Sequence, residues 1–129
     1  MFKLVTSSFT AITLSIFLLN GCVDHSEALK VLPNELAIAD QCKNTNAKYE
    51  MDCYDLISYK NSFAQLRLGL NAQLSGNYNE ALQRYLYAKE KGNFYVNSLL
   101  AELYNNGFGV EKNEETVIKL LEEVKDVDP

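Results

Sequence analysis

The stretch Leu99-Leu-Ala-Glu-Leu-Tyr104-Asn-Asn-Gly107-Phe-Gly109-Val110-Glu-Lys-Asn113-Glu-Glu-Thr-Val117-Ile-Lys-Leu120-Leu121 reads as two helices joined by a tight loop. Before the loop, Val96, Leu99, Leu100, Leu103 and Tyr104 recur at the spacing of one helical face, and after it Val117, Leu120, Leu121 and Val124 do the same. Gly107 and Gly109 give the turn its backbone freedom. Asn113 is placed to cap the second helix, with Glu114 and Glu115 set against the positive end of its dipole. The spacing predicts helices over about 94–106 and 114–125.

Outward from this pair the same pattern continues toward the N-terminus. Tyr78, Ala81, Leu82 and Tyr85 predict a helix over about 78–91, stopped by Gly92-Asn93. Phe63, Leu66, Leu70 and Leu74 predict another over about 62–75, stopped by Gly76-Asn77. Two shorter helices are expected over about 35–43, capped by Asn34, and about 47–59, parted by Asn44-Thr45-Asn46. Residues 23–33 mix charge, small residues and Pro33, and read as a flexible spacer. No window alternates apolar and polar residues long enough to argue a strand. Asn77, Ala81 and Tyr85 match Asn113, Val117 and Leu121 at a constant offset of 36, a period of helical-hairpin arrays, whose single hairpins cannot bury their apolar faces alone. The fold expected is all-α, a short α-solenoid of about six helices.

The stretch 99–121 also resembles a Sel-one-like repeat, a relative of the tetratricopeptide repeat. Leu103, Tyr104, Gly107, Gly109 and Val110 match that pattern, while Asn113 stands for the usual Asp and Val117 for the usual Ala. Residues 94–127 form the clear repeat. Residues 61–93 form a degenerate one, keeping Leu68-Gly69, Asn79-Glu80-Ala81-Leu82 and Tyr85 without the glycine loop. Since at least three units are normally needed for a stable stack, residues 34–60 are assigned as an atypical capping unit.

The N-terminus has a different character. Lys3 precedes the uncharged run 4–19, which ends in Asn20-Gly21-Cys22, the order of a secretory signal. The run is shorter than the roughly 20 apolar residues that a membrane crossing takes. Leu19-Asn20-Gly21-Cys22 resembles the lipobox of bacterial lipoprotein precursors. The resemblance implies removal of residues 1–21 as a signal peptide, a lipid on Cys22, and a tether over 22–33. Val23, where Asp would favour inner-membrane retention, implies outer-membrane anchoring with the body facing the periplasm.

Composition narrows the function. The chain has 129 residues and a net charge of −5, and without Lys3 the mature side chains sum to −6, an unfavourable surface for nucleic acid. With Cys22 lipidated, Cys42 and Cys53 remain in an oxidising compartment, where a disulfide is the expected state. Two free thiols or a metal site are the other readings, the metal disfavoured because the only histidine, His25, lies in the tether.

No nucleophile–base pair, zinc motif or phosphate loop is present in the sequence, so neither catalysis nor a cofactor beyond the covalent lipid is expected. The expected role is binding another protein, with Arg67, Asn71, Tyr87, Tyr95 and Asn97 as candidate contact residues. Short periplasmic lipoproteins with such repeats include immunity proteins against phospholipase effectors of type VI secretion. A structural envelope-assembly factor is the alternative, and an enzyme acting on peptidoglycan or antibiotics the third reading.

Overall fold

Asparagines punctuate this chain. Asn46, Asn61, Asn77 and Asn113 each accept, through the side-chain oxygen, a backbone N–H in the first turn of the helix that follows: those of Lys48, Ala64, Glu80 and Thr116. Each bond satisfies one of the donors that a helix start leaves unpaired, worth about 1 kcal/mol. The computed structural model describes residues 24–125, and within them the regular structure is entirely helical. The helices are α1 (Asp24–Lys43), α2 (Ala47–Ile57), α3 (Ser62–Leu74), α4 (Tyr78–Glu90), α5 (Val96–Asn106) and α6 (Glu114–Glu122).

Consecutive helices pair as α1 with α2, α3 with α4 and α5 with α6. The hairpins stack through α2 on α3 and α4 on α5, with α1 also against α3. This is a short α-solenoid of helical hairpins. Two apolar clusters fill it. One, between α1, α2 and α3, holds Leu32, Ala39, Cys42, Tyr54, Phe63, Ala64 and Leu68. The other runs from Ala72 of α3 through Ala81, Tyr85 and Ala88 of α4 to Val96, Leu100 and Leu103 of α5 and Leu120 of α6. Leu66 packs against both.

The first helix departs from expectation. It begins at Asp24, not near residue 35, so residues 24–33 are helical where a flexible spacer was expected, and Asn34 lies inside a helix instead of capping one. Pro33 sits within α1, where it lacks the N–H for the ladder and costs on the order of 3 kcal/mol. Good helix formers, Glu27-Ala28-Leu29-Lys30, precede it. Leu32 just before it and Ala39 and Cys42 after it bury one face, a large side chain such as Leu32 contributing about 2 kcal/mol. Together these offset the proline.

In α3 the inward stripe is Ala64, Leu68 and Ala72, while Leu74, expected on the core face, is 87% exposed at the last turn. No helix among the described residues is long and apolar enough to cross a membrane. The signal segment 1–21 and Cys22 lie outside the described residues.

Candidate interaction surfaces

Two of the five candidate contact residues turn inward. Asn97, on the first turn of α5, is fully buried, and its Nδ2 donates to the Leu120 carbonyl at 2.8 Å and to Glu123 Oε2 at 3.1 Å. It ties the start of α5 to the end of α6 and faces no solvent, while its Oδ1 has no hydrogen-bond partner among the described residues. Lys89 of α4 reaches the same Glu123 carboxylate at 2.6 Å and holds it below the usual carboxylate range.

Arg67 of α3 is engaged in the same way. Its guanidinium donates to Asp40 of α1 and, at 3.2 Å, to the hydroxyl of Tyr54 on α2, lying over the Tyr54 ring. Tyr54 in turn donates to Glu50 at 2.7 Å, and burial raises its pKa. Arg67 therefore clamps the α1–α2 hairpin to α3 and is not a free contact. Its hydrogen bond holds the Asp40 carboxyl below its ordinary value.

The other three stand where a partner can reach them. Asn71 is exposed on α3. Tyr87 is half-buried on α4 with the Lys91 ammonium 5.4 Å from its ring centre. Tyr95, before α5, is half-exposed and packs its other side against Phe63, with ring centres 5.6 Å apart.

The loop between α5 and α6 owes its shape to its glycines. Gly107 ends α5 with φ +70°, and its N–H donates to the Leu103 carbonyl. Gly109, also at positive φ, lies so close to Tyr78 that a Cβ would meet that residue's backbone at 3.0 Å. Leu103 is fully buried, and Tyr104 and Val110 pack partly buried against the second core. Phe108 stacks on Tyr78 with ring centres 4.4 Å apart, which seats the loop against the preceding hairpin.

Cys42 and Cys53 are joined in a disulfide that staples α1 to α2. A polar seam that sequence reasoning missed gathers at the start of α3. Glu35 of α1 accepts the backbone N–H and the hydroxyl of Ser62, both at 3.0 Å, and its carbonyl accepts Asn61 Nδ2 at 2.8 Å. Buried Asn93 donates to Ser62 Oγ at 3.0 Å, and Gln65 donates to the Ser58 carbonyl. The seam fixes the start of α3 against both neighbouring hairpins. The partners of Glu35 and Asn93 in it lie 26 to 31 residues away, beyond the reach of a helical-spacing argument.

Apolar side chains are uncovered at several places, Leu74 most of all, and on two of the helices they share a face. On and just after α2, Tyr49, Leu56 and Tyr59 are exposed, with Lys48, Asp52, Asp55 and Lys60 around them. On α6, Ile118 and Leu121 are exposed.

A protein of Rhizobium meliloti (strain 1021), named as an exopolysaccharide production negative regulator, is 37% identical to this chain over 62 residues. The match takes in 48% of the chain and 23% of that protein, so it spans less than a quarter of the relative's length. No family model and no solved structure matches the chain.

Proposed function

We propose that the chain is a lipid-anchored envelope protein whose helical-hairpin stack binds another protein without catalysing a reaction. The carrying observation is a stack whose first and last hairpins keep large apolar side chains in solvent, Leu56 at 76% and Ile118 at 57% exposure. Clustered exposed apolar groups are characteristic of interaction surfaces. The lipobox-like Leu19-Asn20-Gly21-Cys22 supports the anchor, by a thioether on Cys22, and Val23 supports the outer membrane. The relative that matches in part is named as a regulator of exopolysaccharide production. That favours a regulatory or assembly role at the envelope over neutralisation of a secreted toxic effector.

The experiment is in-cell chemical crosslinking of the full chain, followed by purification from the membrane fraction and mass spectrometry. A stoichiometric adduct that depends on Leu56 or Ile118 is expected. Labelling with an alkyne fatty acid should mark the wild type and not Cys22→Ser. Turnover of a cell-wall fragment or lipid by the purified chain, with no adduct formed, would overturn the reading.

A further inference from the structure

Helices α4 and α6 start in the same way, at Tyr78 and Glu114, behind capping asparagines 77 and 113. The offset of 36 therefore aligns their faces turn by turn. Tyr85 of α4 is fully buried, its hydroxyl donating to Gln73 of α3 and its ring in one cluster with Val96, Leu100 and Leu103 of α5. Leu121, at the matching place on α6, is 45% exposed. Where α4 has a following helix laid over it, no described helix covers Leu121 of α6.

The charge around this face is predominantly negative. At 100° per residue, Glu114, Glu115, Leu121 and Glu122 all fall within about 60° of Ile118, and all are exposed. Lys119 lies about 100° away, and Lys125 follows the helix end. The apolar pair thus sits among three carboxylates. Two such faces repel each other, as does an anionic lipid surface, which disfavours both a second copy and the membrane as occupant. The α2 surface lacks this bias, because Lys48 and Lys60 balance Asp52 and Asp55.

We infer that the outer face of α6 docks an amphipathic helix of a partner protein, with apolar residues three and four apart and lysine or arginine flanking them. The bound helix takes the position over α6 that α5 takes over α4. This rests on the protein-binding reading above and names its partner class.

The test uses the full-length chain in detergent and two fluorescein-labelled helical peptides of about 18 residues with the same leucine stripe, one flanked by lysines and the other by glutamates. The lysine-flanked peptide should bind, and weaken as salt rises. Leu121→Glu should weaken it about tenfold, and the triple change Glu114→Lys, Glu115→Lys and Glu122→Lys should reverse the preference toward the glutamate-flanked peptide. Circular dichroism verifies that each variant keeps its helix content. Equal binding of both peptides, indifference to Leu121→Glu, or a dimer that Leu121→Glu splits would each overturn the proposal.

A photo-crosslinking residue placed in cells at Ile118, and separately at Leu56, separates the two levels of the reading. An adduct at Ile118 should carry a partner peptide with the basic-flanked stripe. One to lipid, to another copy, to this chain's own N-terminus or to an unrelated sequence overturns the docking mode. An adduct from Leu56 alone overturns the α6 site and leaves protein binding standing, and adducts from neither position overturn both.

Discussion

Gly69 and Tyr85 fit together only because one of them has no side chain: a Cβ at Gly69 would lie 2.5 Å from Cε1 of Tyr85. The ring is fully buried and anchored through its hydroxyl to Gln73, so it has nowhere to move. Gly69→Ala should therefore destabilise the protein by about 1–3 kcal/mol despite alanine's better helix propensity. Urea denaturation reads this out, and Gly69→Ala combined with Tyr85→Leu should recover part of the loss.

Tyr85 also makes the fold sensitive to alkali. Burial, and secondarily the charge of Glu102, push its phenol up to about 12. A phenol raised in the folded state contributes fully below its unfolded value near 10 and loses that contribution as pH rises toward 12. Stability should fall across this window, and Tyr85→Phe should flatten the fall while costing about 1 kcal/mol at neutral pH for the lost bond to Gln73.

The staple between Cys42 and Cys53 closes a separation of 11 residues, for which chain-entropy reasoning gives about 3 kcal/mol. Cys42→Ser with Cys53→Ser should lower stability by that order. Hydrogen exchange should rise first in α1 and α2, which the second cluster does not support. Uniform loss of protection over all six helices would contradict this division.

Acid should loosen the same end of the molecule. The hydrogen bond from Arg67 holds Asp40 below its ordinary value of 3.8, so the contribution is present above that pH and disappears as pH falls through the lower folded value. Arg67→Gln should flatten the acid limb of the stability profile, and Asp40→Asn should do so without further loss when combined with it. Thermal unfolding measured between about pH 6 and 2 checks both.

The sequence showed clearly whatever is local. Helices α3 to α6 lie within a few residues of the spans that their apolar stripes indicate, and the cap expected at Asn113 is in place. The disulfide needed only two cysteines and a compartment. Long-range polar pairing was hidden. Arg67 and Asn97 read as polar contact candidates on the first helix of their hairpins, yet their partners Asp40 and Leu120 lie 27 and 23 residues away. Pro33 misled in the opposite direction, because local preference assigns it to a spacer while its neighbours Leu32 and Ala39 are held by the core.

Leu66, the side chain shared by the two apolar clusters, gives the molecule nearly separable melting units. A stack with only neighbour-to-neighbour contacts unfolds as linked segments, not as one block. A helix bound at α6 then protects α5 and α6 from hydrogen exchange, while the disulfide end opens as before. Whole-chain melting temperature follows whichever end fails first, so a thermal-shift screen can pass over a partner that exchange mapping detects.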